Sequence, residues 1–247
     1  MIFTTSWDDG YASDLRIAEL LERHGTTGTF YVCPATQHGE RMLSKEEIRS
    51  LSGRFEVGAH TLTHPRLTTL PTKQAMKELH ESKGWLERIT GKPCTSFCYP
   101  KGAHDERICK LTQEAGFVCA RTTDMFRFTA NDRFALPVSI QVMPFPFRRS
   151  FRPPWKYLDP LGPLRAHYPR LRKLGIGLRS CGNWLNLAKA LFTHALETSQ
   201  PFFHLYGHAR EMERYGQWEE LEQFLTFVSD TPGLTHKTNT ELARTVI

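Results

Sequence analysis

Two adjacent carboxylates near the N-terminus are the first residues of this sequence with an evident capacity for chemistry. Asp8 and Asp9 follow the run 2–5, whose apolar and β-branched residues are typical of a short strand, and Gly10 comes directly after them. Strand side chains alternate, so the two carboxylates would point apart if the strand simply continued. Gly10 can adopt backbone angles closed to other residues and lets the chain bend, so that both reach one site. One acid can then hold a metal ion while the other transfers protons.

A pair of histidines supplies further candidate metal ligands. His60 and His64 follow the strand candidate 55–59 and are cut off by Pro65. Two imidazoles at this spacing can converge on one cation from a strand end and a tight turn, much as they do on a helix. With one Asp they form a three-ligand shell that leaves a position for water, as a hydrolytic metal requires. Taken alone, an Asp-Asp-Gly turn or a His-x-x-x-His pair is commonly not functional.

Length and composition bound the class of protein. A chain of 247 residues suffices for one large α/β domain, and 40% hydrophobic with 23% charged residues is typical of a globular protein. No apolar run approaches the length of a membrane span, and the first residues show no signal-peptide pattern. We therefore expect a cytoplasmic protein, with a peripheral position at the inner membrane surface as a further expectation.

Strand and helix signals alternate along the chain. Strands are predicted at 28–32, 96–99, 118–121 and 201–206, helices at 72–90 and 105–115, and helix caps at Ser13 and Ser44. This alternation implies parallel βαβ units. The chemically competent residues all follow predicted strands, which is where a β/α barrel builds its active site. An open doubly wound sheet would also place strand ends at a site.

Four stretches, in order, resemble the motifs of the polysaccharide deacetylases, the NodB homology family (carbohydrate esterase family four). Residues 6–10, Ser-Trp-Asp-Asp-Gly, are similar to Thr-Phe-Asp-Asp-Gly, and residues 60–64 match His-Ser/Thr-x-x-His. Residues 97–102, Phe-Cys-Tyr-Pro-Lys-Gly, are similar to the third motif, and His208 ends a strand where the family keeps its last catalytic histidine. The resemblance implies an α/β fold with a distorted (β/α) barrel of about seven parallel strands. We expect it to form a single domain, residues 1–247.

The metal site follows from these residues, and the resemblance implies the same assignment. Asp9, His60 and His64 are predicted to hold a divalent ion, with Zn²⁺ as the first choice and Co²⁺, Mn²⁺ or Ni²⁺ as alternatives. Such an ion lowers the pKa of a bound water and polarises the substrate carbonyl. Asp8 is then the predicted general base.

The remaining catalytic parts are assigned from the third motif and the last strand. The resemblance implies that the backbone N–H of Lys101 stabilises the tetrahedral oxyanion, and Tyr99 and Pro100 of the same motif are assigned to substrate binding. His208 is the predicted general acid that protonates the leaving amine. His204 faces the same side of its strand, so we assign it to the substrate site, with the acid itself or a packed core histidine as alternatives.

The sequence departs from the family pattern at two places. Many relatives carry an Arg where Cys98 stands, and that Arg usually orients the base. Arg121, at the end of the next predicted strand, is the candidate to supply the charge from a neighbouring position. Asp124 is the candidate for the acid that orients the catalytic histidine, although this fourth motif is poorly matched. Either could equally be an ordinary surface ion.

A basic segment, residues 143–189, breaks the alternation of strands and helices. It has ten basic residues against one acidic residue, a local charge of +9 compared with +6 for the whole chain. Arg148 and Arg149 are assigned to binding an anionic group, either a phosphate-bearing or lipid-linked substrate or an anionic membrane surface. An insertion whose arginines are merely solvated is an equal alternative. No recognised nucleic-acid-binding module accompanies the charge, so no nucleic-acid partner is expected.

Together these features predict a metal-dependent amide hydrolase that removes an N-acyl group, an N-acetyl group first, from a sugar or a glycan precursor. The alternatives within the same chemistry are a deformylase and a cyclic-amide hydrolase, because the metal site is indifferent to what lies beyond the carbonyl. The alternative from another class is a non-catalytic barrel that binds a glycan or an anionic membrane. Intact candidate residues for the base and the metal ligands favour the enzyme.

Overall fold

The computed structural model describes residues 1–35, 39–149 and 154–246 and contains one parallel sheet. The strand order is β5-β4-β3-β2-β1-β7-β6, with β8 pairing to the first residues of β1. All pairings between these strands are parallel. The strands are β1 (Ile2–Asp9), β2 (Thr29–Val32), β3 (Glu56–Ala59), β4 (Ser96–Cys98), β5 (Cys119–Arg121), β6 (Ile140–Gln141), β7 (Phe202–Gly207) and β8 (Thr235–His236).

The stretch 133–142, which contains the outer strand β6, also bonds to the other outer strand, β5. At its start the N–H of Ala120 donates to the carbonyl of Arg133 at 2.8 Å, and Leu136 N–H donates to the carbonyl of Ala120 at 2.9 Å. At its end Ser139 N–H donates to the carbonyl of His204 at 2.9 Å. The stretch therefore bonds to β5 and β7 and curls the sheet round into a barrel with an irregular seam. The predicted distorted barrel is confirmed, and the open doubly wound sheet is wrong.

Helices connect the strands at the outside of the barrel. They are α1 (Asp14–Arg23), α2 (Lys45–Ser52), α3 (Thr72–Thr90), α4 (Glu106–Glu114), α5 (Gly162–Lys173), α6 (Trp184–Glu197), α7 (Ala209–Tyr215), α8 (Trp218–Ser229) and α9 (Asn239–Val246). The predicted capping box at Ser44 is present, since its side chain accepts the N–H of Glu47 and the Glu47 carboxylate accepts the N–H of Ser44. The predicted cap at Ser13 is wrong, because Ser13 has helical backbone angles and its side chain makes no capping bond.

The basic segment contributes to the core as well as to the surface. Its last residues begin α6, whose Trp184 is fully buried and donates its indole N–H to the carbonyl of Gln141 at 2.8 Å. Phe192 of the same helix packs edge-on against Phe203 of β7, with ring centroids 5.2 Å apart. The bounds of an insertion at 143–189 therefore stay a prediction. Residues 150–153 of this segment, with Arg152 among them, lie outside the described residues.

The described residues contain no helix that is both long enough and apolar enough to cross a membrane.

Candidate active site

The two aspartates stand at the end of β1, where the chain turns sharply. Asp9 has a φ of 81° and Gly10 a φ of 80°, so the bend begins one residue earlier than the glycine alone predicted. A Cβ added at Gly10 would lie 2.7 Å from Cγ1 of Val32, so the position needs glycine for space as well as for its backbone angle. The bend brings both carboxylates to the same end of the barrel, as predicted.

The histidine pair lies in a tight loop after β3. His60 is buried, and its Nδ1–H donates to the carbonyl of Cys98 at 2.8 Å, which leaves the Nε2 lone pair free to face the site. Thr61 and His64 both have positive φ, 62° and 58°. The hydroxyl of Thr61 accepts the N–H of His64 at 3.0 Å. The loop therefore folds back so that the second imidazole meets the first.

Three donor atoms converge at this point with the spacing of a tetrahedral metal shell. His60 Nε2 and His64 Nε2 are 3.1 Å apart, and they lie 3.6 Å and 3.5 Å from Asp9 Oδ1. Bonds of about 2.0–2.1 Å in a tetrahedral zinc site would separate neighbouring ligand atoms by about 3.3 Å. Asp9 Oδ1 is buried and has no hydrogen-bond partner among the residues that the structure describes. These residues therefore fit a divalent ion.

The protonation of the site also suits a metal ion. Burial, together with the charge of His60, lowers the pKa of His64 to about 4, so its imidazole is neutral at pH 7. A second set of possible ligands, Asp8, His60 and Cys98, lies close by. Burial raises the pKa of the Cys98 thiol, and Asp8 is held by Arg121. The set with Asp9 and His64 is therefore the better metal site.

Asp8 is ion-paired inside the barrel. Its Oδ1 accepts a hydrogen bond from Nη2 of Arg121, which is fully buried, and the same Nη2 lies 2.9 Å from Sγ of Cys98. The guanidinium also stacks over the ring of Tyr206, 4.1 Å from its centroid. Burial would raise the pKa of Asp8, but Arg121 above all, with His60 and His208, lowers it to about 2. Asp8 is thus an ionised carboxylate held in a fixed orientation.

His204 of β7 and His208, directly after that strand, differ sharply in environment. His204 is fully buried between the hydroxyl of Ser6, 2.8 Å from Nε2, and the carbonyl of Pro137, 3.1 Å from Nδ1. Burial lowers its pKa to about 3. This is a packed core histidine, so its assignment to substrate binding is wrong, as is the alternative that it is the acid.

His208 lies at the mouth of the site, where its Nε2 is 4.0 Å from Asp9 Oδ2. Its Nδ1 is 3.6 Å from Oε2 of Glu211. Burial by itself lowers the pKa of His208, but the contact with Glu211 and the charges of Asp8 and Asp9 outweigh it and raise that pKa to about 9. In the metal-free protein the imidazole is therefore protonated at neutral pH, which suits a proton donor.

A cavity of about 290 Å³ opens over these groups. It is lined by Asp9, Tyr11, His64, Lys101, His208, Arg210 and Glu211. Lys101 reaches the wall through a left-handed backbone conformation, with a φ of 59°. The structure thus brings together Asp8, Asp9, His60, His64, Lys101, Arg121 and His208, all of them predicted from the sequence.

Other predicted site residues lie elsewhere. Tyr99 is fully buried and donates its hydroxyl to the carbonyl of Phe134 at 3.0 Å, and Pro100 is buried beneath the turn, so neither lines the cavity and their assignment to substrate binding is wrong. Arg148 pairs with Asp159 at 3.7 Å, and Arg149 donates to the carbonyl of Tyr215 at 2.7 Å, both outside the cavity.

Asp124 is also misassigned. It is exposed, and within the described ranges its carboxylate makes no hydrogen bond or ion pair with His208 or His204. The acid beside His208 is Glu211, three residues further along on α7. The i, i+3 spacing of His208 and Glu211 was the available signal, since such residues lie on one face of a helix.

Sequence reasoning also missed Glu78, on α3. Its carboxylate accepts hydrogen bonds from the N–H of Leu62 at 2.7 Å, the N–H of Thr63 at 3.1 Å and the hydroxyl of Thr63 at 2.7 Å. These residues form the loop between His60 and His64. Glu78 therefore fixes the loop that carries the two imidazoles.

The variant Glu78→Gln is expected to weaken the binding of an added divalent ion such as zinc about tenfold. The amide has one acceptor oxygen where the carboxylate offers two to the loop, and partners behind metal ligands are typically worth about 10- to 100-fold in affinity. Competition against a chelator measures the dissociation constant. Glu81→Gln is the matched control, since Glu81 lies on the same helix and pairs with Lys77 at the surface. Equal zinc affinity in both variants would contradict this role.

Comparisons with known proteins point to one family for the N-terminal half of the chain. Residues 2–120 match the family model described as polysaccharide deacetylase. Over 118 residues the chain is 29% identical to the peptidoglycan-N-acetylmuramic acid deacetylase PdaA of Bacillus subtilis, covering 47% of this chain and 43% of the relative. Over 111 residues it is 30% identical to the peptidoglycan-N-acetylmuramic acid deacetylase PdaC of the same organism, covering 43% of this chain and 23% of the relative.

A solved structure extends the similarity to the whole fold. A putative polysaccharide deacetylase from Mycobacterium smegmatis matches 99% of this chain and 90% of that chain, with a TM-score of 0.68 and 19% sequence identity. At that identity the likeness shows a shared fold. This chain spans less than half the length of the curated relatives it matches.

Proposed function

We propose that this chain is a metal-dependent amide hydrolase of the polysaccharide deacetylase type, which its residues 2–120 match, and that it removes an N-acetyl group from a sugar of a glycan or glycan precursor. The observation that carries the proposal is the convergence of Asp9, His60 and His64 beside the ionised Asp8. Three metal ligands next to a separately held carboxylate are the parts that amide hydrolysis requires.

Zinc is the metal we propose, held by Asp9 Oδ1 and the Nε2 atoms of His60 and His64. Two imidazoles and one carboxylate in tetrahedral spacing suit this ion. When bound, the ion supplies Lewis acidity, which lowers the pKa of a water and polarises the acyl carbonyl.

The protein's own groups would move the protons. Asp8, oriented by Arg121, would take the proton of the attacking water as general base. The backbone N–H of Lys101 would donate to the oxygen that gains negative charge, because the left-handed turn at Lys101 carries this peptide to the wall of the cavity. His208, protonated and steadied by Glu211, would give its proton to the amine as the C–N bond breaks.

The proposed substrate class is an N-acetylated amino sugar. The printed names of two Bacillus subtilis relatives specify N-acetylmuramic acid in peptidoglycan, which makes such sugars the first to test. Lys101 and Arg210 add positive charge to the wall of the cavity, although Arg210 is already paired with Glu40 at 2.6 Å. The same catalytic groups would act on a formyl or a cyclic amide, so these compounds belong in the same panel.

The test is metal content followed by turnover. Protein purified without added metal is expected to contain about one zinc per chain by elemental analysis, and the His60→Ala, His64→Ala double variant to contain less than a tenth of that. Released amine from N-acetyl sugars, with acetate measured in parallel, is then expected only from the loaded wild type.

Each outcome of this test is decisive. A chain that binds no divalent ion even when one is added would overturn the hydrolase and leave the glycan-binding barrel in its place. Metal without amine from acetyl substrates, but with product from formyl or cyclic amides, would keep the hydrolase and replace the acyl group.

A further inference from the structure

All the exposed large apolar side chains of the described residues belong to the basic segment, between residues 147 and 178. They are Phe147, Tyr157, Leu158, Leu161 and Leu178. Leu158 is 88% exposed, an extreme value for a leucine. Scattered exposed leucines need no explanation, but a cluster within 32 residues indicates a surface that meets an apolar partner.

The cluster borders an apolar groove at α5. The groove has a volume of about 620 Å³ and is lined by Asp159, Pro160, Leu161, Leu164, Arg165, Tyr168, Pro169 and Leu178. Leu161, Leu164 and Tyr168 follow each other at three- and four-residue spacing, so they form one stripe of the helix. Leu178, which follows the helix in sequence, also lines the groove. We call this surface the α5 face, and we include Leu158, which directly precedes Asp159 of the lining.

Positive charge lies along the α5 face. Arg165 lines the groove itself, and exposed Arg172 follows Tyr168 by four residues on the same stripe of α5. Lys173 is also exposed, and exposed Arg179 adjoins Leu178 of the groove. The single acid of the basic segment, Asp159, is already neutralised, because it pairs with Arg165 at 2.7 Å and with Arg148 at 3.7 Å. The surface therefore combines exposed leucines with an uncompensated set of basic side chains.

We propose that the α5 face binds the surface of an anionic lipid bilayer. Leucines that enter the acyl boundary, flanked by basic residues at the level of the headgroup phosphates, are the combination that holds a protein in the membrane interface. A nucleic acid would match the charge but would leave Leu158, Leu161 and Leu178 in water. This inference goes beyond the proposed deacetylation and does not depend on it.

Vesicle co-sedimentation tests the proposal with the full chain. Vesicles of phosphatidylcholine alone are compared with vesicles that contain about one third phosphatidylglycerol, at low and high salt. We expect at least tenfold stronger binding to the anionic vesicles, weakened by salt. Two variants are each expected to lose about tenfold or more of this binding: Leu158→Ser, Leu161→Ser, Leu178→Ser, and Arg172→Gln, Lys173→Gln, Arg179→Gln.

The matched control is Lys45→Gln, Lys73→Gln, Arg88→Gln, which removes the same charge from exposed positions on α2 and α3. It is expected to bind within about twofold of the wild type, and thermal unfolding verifies that all variants fold. Wild-type protein that ignores anionic vesicles overturns the proposal. So does a leucine variant that binds like the wild type, or a chain whose leucines hold a soluble dimer and not a vesicle.

Discussion

The variant Asp8→Asn is expected to lower kcat/KM by about 10²- to 10⁴-fold, the range that a positioned general base contributes, while zinc content stays near one per chain. The isosteric amide can still accept the hydrogen bond of Arg121 but cannot take a proton from water. In the proposed metal site Asp9, and not Asp8, would supply the carboxylate ligand, so the ion should remain in this variant. Deacetylation rates and elemental analysis of the same preparation measure both effects.

Two neighbouring aspartates serve as controls for Asp8→Asn. Asp9→Asn is expected to lose the metal along with the activity. Asp14 is fully buried in α1, and burial, with the charge of Asp9, raises the pKa of its carboxyl well above the usual range. Asp14→Asn replaces a group that resists ionisation, so it should keep both metal and turnover. Activity within tenfold of wild type in Asp8→Asn would show that another group is the base.

The difference in stability between the Asp14→Asn variant and the wild type is expected to change with pH in a defined direction. The pKa of the Asp14 carboxyl is higher in the folded than in the unfolded state. Its contribution to the free energy of unfolding is therefore fully present below the ordinary pKa of an aspartate, and it is lost as the pH rises through the pKa of the folded state. The metal-free Asp14→Asn variant should therefore be more stable than the metal-free wild type at pH 8, and this advantage should disappear near pH 4.

The parts of the site that could be predicted from the sequence are those fixed by neighbours in the chain. Asp8 and Asp9 share one turn, and His60 and His64 share one loop, so short spacings were enough to bring them together. Arg121 was predictable for a different reason, because parallel strands end at one rim of the barrel and β4 pairs directly with β5.

His204 and Tyr99 were misassigned because a sequence pattern does not show how deep in the barrel a residue lies or which face of a strand points to the site. His204 does face the barrel interior, as alternation predicts, but it precedes His208 by four residues and therefore lies deeper, against Ser6 and Pro137. Cys98 and Tyr99 are neighbours, so they point to opposite sides, and Cys98 alone faces Asp8. Glu78 contacts the metal loop from a helix, and a contact between elements distant in sequence leaves no local pattern.

The second large effect is expected at Arg121, the buried partner of Asp8. Arg121→Met leaves the Asp8 carboxylate buried without its counter-ion, a change that typically costs about 3–5 kcal/mol. Chemical denaturation of the metal-free protein measures this loss. Burial, no longer opposed by Arg121, would raise the pKa of Asp8 from about 2. The acid limb of the kcat/KM profile is therefore expected to move to higher pH, and raising the pH should restore part of the activity.

A swap of two residues tests whether Arg121 has taken over the task of an arginine on the neighbouring strand. Cys98 and Arg121 are direct partners in the register of β4 and β5, and Nη2 of Arg121 already lies 2.9 Å from Sγ of Cys98. The double variant Cys98→Arg, Arg121→Cys keeps the composition and moves the guanidinium by one strand. We expect it to recover turnover at pH 7 to within about tenfold of wild type, since a charge-assisted hydrogen bond to Asp8 is restored.

Arg121→Lys, which keeps the charge but loses the fork of donors, should recover less. If the swapped variant is as inactive as Arg121→Met and its acid limb is equally displaced, the guanidinium is needed at Arg121 itself and the exchange of roles between the two strands is wrong.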